Sequence, residues 1–156
     1  MIGIDTNILL RLWLDDDPAQ SRRIDSLLAQ HGTAPGSLLV SDLVLAEAVW
    51  TLASARGQDK TAQLEAVRSL LDEAAIAFEN RDAVSQAALL FERNTCGFSD
   101  CPIAAKHALL GCEFTATFDR RMRKLPGTRN PTARAWQRLG SPGSHTCFAR
   151  TAMPPD

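Results

Sequence analysis

Short β-forming runs alternate with longer helical patterns along most of this chain, and that rhythm restricts the fold more than any single residue does. Ile2 to Asp5 reads as a strand, followed by a helix from about Asn7 to Leu14 and a second helix after Pro18. Leu38 to Val40 reads as a strand and Asp42 to about Arg56 as a long helix. "KTAQLEAVRSLL" places Leu64, Val67 and Leu71 on one helical stripe, "AIAFE" reads as a strand, and "NRDAVSQAALLFERN" as an amphipathic helix. "FSDCPIAAKHALLGC" predicts a helix starting near Ser99, and "EFTATFD" a strand ending at Asp119. Strands separated by helix-length crossovers pair in parallel, so the class is α/β, a parallel sheet with helices on its faces.

At 156 residues the chain is sized for one core, and a 45% apolar, 22% charged composition excludes global disorder. The formal net charge of -1 excludes an overall basic footprint for nucleic acid and leaves room for a local one. Asp5 and Asn7 interrupt the N-terminal apolar stretch before a secretory leader could form, and other apolar runs are too short to span a membrane. No membrane association and a cytoplasmic location are expected. Cys96, Cys101, Cys112 and Cys147 form no CxxC pair and are read as reduced thiols; zinc held by Cys96, Cys101, His107 and Cys112 is an alternative that matches no paired-ligand spacing. The periodicity fails near Pro126, which divides the chain into a domain over 1–127 and an irregular C-terminal tail over 128–156. That tail carries Arg129, Arg134, Arg138 and Arg150 against Asp156 alone.

Several acids occupy positions where a simple fold would not place them. Asp5 and Asp119 each end a predicted strand, and in open parallel sheets ligands bind beyond the C-terminal strand ends. Glu47 shares a helical stripe with Leu43 and Trp50, which predicts a carboxylate on or beside an apolar face that must be paired or metal-bound. Asp100 aligns with Ile103, Ala104 and His107 on its helix. Asp100 and Asp42 each follow a serine, so capping and the helix dipole offer both a structural role. Asp15, Asp16 and Asp17 directly precede Pro18 and read as a helix-initiating turn. Together Asp5, Glu47, Asp100 and Asp119 offer oxygen ligands suited to a hard cation such as Mg²⁺ or Mn²⁺ rather than zinc.

"IDTNILL", "LVLAEAVWTL", "FSDCPIAA" and "TFD" occur in the order and approximate spacing of the PIN-domain ribonucleases, and the chain resembles in particular the VapC-like toxins of type II toxin–antitoxin pairs. The resemblance spans about Met1 to Gly127. It implies a doubly wound parallel sheet flanked by helices and RNA phosphodiester cleavage with Mg²⁺ or Mn²⁺. Carried over by position, it makes Asp5, Glu47, Asp100 and Asp119 the metal-holding catalytic acids, Thr6 the hydroxyl residue after the first acid, and Asn7 a polar residue that helps fix that turn. It further implies a cognate small antitoxin that blocks the site, and a homodimer. The sequence departs from the family after "LPG", where Pro131 and the surrounding residues supply no continuous β-forming run, so no final strand is expected.

A metal held by carboxylates can activate water without a Ser–His or Cys–His pair, and none is apparent. Asp5, Glu47 and Asp100 read as the leading ligands, Asp119 as completing the shell, and His107 as a half-buried structural residue. "DRRMRKL" supplies Arg120, Arg121, Arg123 and Lys124 beside Asp119, where they could contact flanking RNA phosphates or form a solvated surface. With few aromatic residues, backbone or shape readout is expected over base stacking. The competing readings are a housekeeping RNA-processing nuclease, a non-catalytic partner-binding module of the same fold, and a haloacid-dehalogenase-like phosphatase. The last needs an acid where Asn7 stands.

Overall fold

Leu38–Val40 forms the middle strand of a three-stranded parallel sheet in a computed structural model that describes residues 1–14 and 17–131. This strand, β2, pairs with β1 (Ile2–Gly3), where Ile2 faces Leu38, and with β3 (Ile76–Phe78), where Leu38 faces Ile76. A central parallel strand is covered on both faces, and Leu38 and Val40 are accordingly buried. The helices are α1 (Thr6–Leu14), α2 (Pro18–His31), α3 (Asp42–Ser54), α4 (Lys60–Asp72), α5 (Arg81–Arg93) and α6 (Asp100–Leu109). They match the expected rhythm, and the α/β class and parallel pairing stand.

The helix starts are written in the sequence. Asp17 caps α2 by accepting hydrogen bonds from the N–H groups of Ala19 and Gln20, with Pro18 in the first turn, so the helix-initiating reading holds for this residue. Asp15 and Asp16 lie outside the described residues. Ser41, Asp59 and Asn80 cap α3, α4 and α5, each side chain accepting one backbone N–H. The serine expected to cap α6 does not: Ser99 sits in the helical region with φ -58° and makes no side-chain cap bond. A serine already turned into the helix cannot aim its hydroxyl at the orphan N–H groups, so capping does not explain Asp100's neighbour.

The last part of the fold departs from expectation. The run ending at Asp119 forms a strand, β4, only over Thr115–Ala116, and it pairs in parallel with β5, Thr128–Arg129, as a separate two-stranded sheet. A short final strand therefore exists where Pro131 argued against one. Gly127 makes it possible: its φ of 70° turns the chain so that its carbonyl accepts the N–H of Thr115 at 2.7 Å. Between the two strands a 3₁₀ turn, Met122–Lys124, anchors itself by burying Met122, with Leu125 buried just after it. Arg134, Arg138 and Arg150, and the tail from 132 onward, lie outside the described residues.

The core runs from Ile4, Leu9 and Leu10 through Leu45, Val49 and Val67 to Val84, Phe91 and Cys101. Phe91 meets Phe98 edge to face at 5.4 Å, which ties α5 to the segment leading into α6. Leu45 is 1% exposed, whereas Trp50, five residues on in the same helix, is 62% exposed. Leu45→Ala should therefore cost roughly 2–5 kcal/mol of unfolding free energy, and Trp50→Ala within about 0.5 kcal/mol, as read from urea denaturation midpoints. Equal losses at the two positions would contradict the register assigned to α3.

Candidate active site

Because β1, β2 and β3 run in parallel, the residues that follow each of them emerge at one edge of the sheet. Asp5 follows β1, Ser41 and Asp42 follow β2, and Glu79 follows β3. Asp5 turns the chain into α1: its Oδ1 accepts the N–H of Ile8 at 2.9 Å, and its backbone carbonyl accepts the N–H of Leu9 at 3.1 Å. The capping carboxylate keeps a second oxygen for other partners. This answers why an acid stands at the end of the first apolar run; it starts a helix at the edge where ligands bind.

The next residue joins that turn to α3. Thr6 Oγ1 donates to Glu47 Oε2 at 2.6 Å, across 41 positions of sequence. The structure thus brings the first acid's turn and Glu47 together, although for a reason other than the one the stripe suggested. Glu47, Leu43 and Trp50 face solvent, with Leu43 78% exposed, while α3 buries Leu45, Ala48, Val49 and Leu52. The helix is apolar nearly all round, so its pattern did not distinguish the buried face from the open one. Burial does not constrain Glu47; its hydrogen bond to Thr6 does. Asn7 is exposed and its side chain makes no hydrogen bond to another described residue, so the turn is held by Asp5 and Thr6 instead.

Asp100 and Asp119 form the second pair. Asp119 does not end a strand: it lies three residues past Ala116 and caps the 3₁₀ turn, its Oδ1 accepting the N–H groups of Arg121 at 2.6 Å and Met122 at 2.8 Å. Those bonds, led by Met122 and aided by the charges of Arg121 and Arg123, hold its carboxyl below the ordinary carboxylate value. Asp100 moves the other way. Burial, and then the negative charge of Asp119, push it above its ordinary value, opposed only by a backbone N–H interaction at Gly97. Among the described residues no Lys or Arg pairs with Asp100. Two carboxylates close enough to repel, one half-buried and without a cation, form a local excess of negative charge.

A third cluster was missed by the sequence reading. Lys106 of α6 donates to Asp42 Oδ2 and, at 2.9 Å, to Glu79 Oε1, while Glu79 Oε2 accepts the N–H of Asp42 at 3.2 Å. It binds the entry to α3, the end of β3 and α6 into one polar knot. Lys106 holds Glu79 below its ordinary value, and the two acids, Asp42 first, raise Lys106 in turn. Applying the strand-end rule to β3 would have found Glu79; Lys106 carried no such signal, since only the packing of α6 brings it there.

The donor chemistry fits a hard divalent cation. All four predicted acids offer carboxylate oxygens, and Asp100 has no Lys or Arg partner among the described residues, a charge that a divalent ion would meet. The gathering is incomplete, however: among the described residues no three His, Cys, Asp or Glu side chains stand together as a metal cage. The acids come as two pairs, Asp5 with Glu47 through Thr6 and Asp100 with Asp119. Cys96, Cys101, His107 and Cys112 form no such cage among the described residues either. Cys96 and Cys101 touch at 3.5 Å in the core, Cys112 is exposed, and His107 Nδ1 bonds Thr115 Oγ1 at 3.0 Å, in the structural role expected of it. Arg120, Arg121, Arg123 and Lys124 are all exposed, because Met122 and Leu125 take the inward positions of that turn. Arg129 instead lies over the Phe114 ring at 5.1 Å and 3.6 Å from Glu113.

The Lys106 knot carries a pH signature. Glu79 has a lowered pKa in the folded chain, so the stability it contributes is present above its ordinary value of 4.5 and is lost as pH falls through the folded value. Lys106→Met should destabilise the protein at pH 7, and its deficit in urea midpoint relative to wild type should shrink as pH drops below 4.5. A deficit that stays constant down to pH about 3 would show that the knot acts through packing rather than charge.

No helix among the described residues is long and apolar enough to cross a membrane. No curated protein matches the chain. The PIN domain family matches residues 2–127, a stretch that contains both carboxylate pairs and the turn that joins Asp5 to Glu47, and the chain belongs to that family.

Proposed function

We propose that this protein is a metal-dependent endoribonuclease that hydrolyses RNA phosphodiester bonds as the toxin of a toxin–antitoxin pair. PIN domains are generally nucleases and typically use divalent metal ions. The observation that carries the reading to this chain is Asp100, a carboxyl pushed up by burial and by neighbouring Asp119, with no Lys or Arg partner among the described residues. Repulsion of this kind is retained at sites that bind cations.

Each residue has a role that its chemistry allows. Asp5, Glu47, Asp100 and Asp119 would hold Mg²⁺ or Mn²⁺, which when bound supplies Lewis-acid activation of a water and of the phosphoryl oxygen. Thr6 orients Glu47 by donating to its Oε2, which leaves Oε1 for another partner. Asp5 and Asp119 are fixed by backbone N–H groups, which hold them in place and, for Asp119, favour the charged form. Arg120, Arg121, Arg123 and Lys124 offer positive charge beside Asp119, which suits phosphates flanking the cleaved bond. A cognate small antitoxin that covers the acids and a homodimeric state belong to the same reading, as does action in the cytoplasm.

The test is cleavage of total cellular RNA by purified, antitoxin-free protein. Discrete fragments should appear with Mg²⁺ or Mn²⁺ and vanish with chelator. Asp100→Asn should lower the rate by more than about 100-fold and Thr6→Val by about 10- to 100-fold, since orienting partners typically cost that much. Asp100→Asn should also melt no lower than wild type, because it removes an uncompensated charge. Expression of wild type alone should arrest growth where Asp100→Asn does not. Fragments that persist in Asp100→Asn would contradict the catalytic assignment, and cleavage without growth arrest would favour the housekeeping nuclease.

A further inference from the structure

The site acids ride on two different pairs of helices. Thr6 opens α1 directly after Asp5, Glu47 lies on α3, and α3 packs most extensively against α1. Asp100 opens α6, which packs most extensively against α5. A site that draws on both sets of acids needs the two helix pairs held in one fixed relation, and the packing within each pair does not fix it. One side chain reaches across. Lys106 leaves α6 six residues after Asp100, about 9 Å along the helix axis. Its Nζ donates to Asp42 Oδ2, on the first residue of α3 and five residues before Glu47.

The contact is built to hold position. The same amine donates to Glu79 Oε1 at 2.9 Å just past β3, and Glu79 Oε2 accepts the Asp42 N–H at 3.2 Å. Asp42 is therefore engaged through its backbone and its carboxylate, so the start of α3 cannot swing without breaking two hydrogen bonds. Two acids share one positive charge; without it they would repel each other, and α6 would lose this tie to the sheet edge. Lys106 donates to neither Asp100 nor Glu47, so any effect it has on them passes through the position of α6 and α3.

We infer that Lys106 is a positioning residue: by tying α6 to the start of α3, it holds Asp100 and the Asp5–Glu47 pair at the spacing that a shared metal site requires. This rests on the metal-dependent reading and names a residue outside the four acids on which the affinity of that site depends. The competing account is purely electrostatic, and its sign is opposite. A lysine near a cation site repels the cation, so if charge alone mattered its removal would tighten metal binding. If Lys106 holds the acids in register, its removal weakens binding.

The experiment is calorimetric titration of Mn²⁺ into the full-length protein after chelator treatment, without RNA. Lys106→Met should bind Mn²⁺ about 10- to 100-fold more weakly than wild type, the range lost when a group that orients metal ligands is removed. Lys106→Arg, which keeps the charge and the reach to both acids, should recover most of that loss. Glu79→Gln removes a negative charge from the knot but leaves the Lys106–Asp42 tie, so it should bind within about twofold of wild type, well below the cost of losing an orienting group. Cleavage of RNA by Lys106→Met should fail at low Mn²⁺ and recover as Mn²⁺ is raised. Urea midpoints establish that each variant is folded at the titration temperature, and Glu79→Gln decides between charge and position even where Lys106→Met is too unstable to titrate. Lys106→Met that binds Mn²⁺ as tightly as wild type or more tightly overturns the inference. So does Lys106→Arg no better than Lys106→Met, or a loss in Glu79→Gln as large as that in Lys106→Met. Each of these leaves the metal-dependent reading intact, whereas wild type that binds no Mn²⁺ removes both.

Discussion

The parallel pairing of three short strands is the constraint on which the rest depends. Parallel order puts the C-terminal ends of β1, β2 and β3 at one edge, and each strand hands over to a turn that carries an acid: Asp5, Asp42 and Glu79. Negative charge concentrated at one edge must be met by cations, hydrogen bonds or a ligand. The protein uses all the internal devices it has. Lys106 meets Asp42 and Glu79, backbone N–H groups meet Asp5 and Asp119, and Thr6 meets Glu47. Asp100 is the acid for which these devices do not suffice, and it is the one whose ionisation burial and Asp119 oppose.

This division separates structural from chemical acids better than position alone. Asp42 and Glu79 share the charge of Lys106, and so they hold α3, β3 and α6 together. Asp100 has no cationic partner among the described residues and so retains a deficit of positive charge. The family to which the chain belongs makes a cation the natural complement of such a deficit. An acid at a strand end is therefore a weak indicator by itself, and an acid without a cationic partner is a stronger one.

The elements were legible because strand and helix differ in period and because the caps at Asp17, Ser41, Asp59 and Asn80 are local. What was not legible required tertiary packing. The stripe Leu43, Glu47, Trp50 looked buried because α3 is apolar almost all round, and only its packing against α1 and α4 decides which side is open. β5 was unexpected because two residues of pairing need no β-forming run; Gly127's turn and the hydrogen bond to Thr115 suffice. Asp119 was identified as a site acid by motif and given the wrong local reason, a strand end rather than the cap of a 3₁₀ turn. The Lys106 knot joins residues 27 and 64 positions apart, a separation at which sequence pattern carries no information.

The central claim is that the two carboxylate pairs form one metal-binding site. A crystal structure of the wild-type protein grown with Mn²⁺, with the metal located by its anomalous scattering, tests it directly. The account predicts one or two Mn²⁺ sites at the C-terminal sheet edge, with Asp100 and at least one of Asp5 and Glu47 as ligands at about 2.0–2.3 Å. Mn²⁺ bound elsewhere, or an edge that stays free of metal at millimolar concentration while Asp100 remains apart from Asp5 and Glu47, would contradict it.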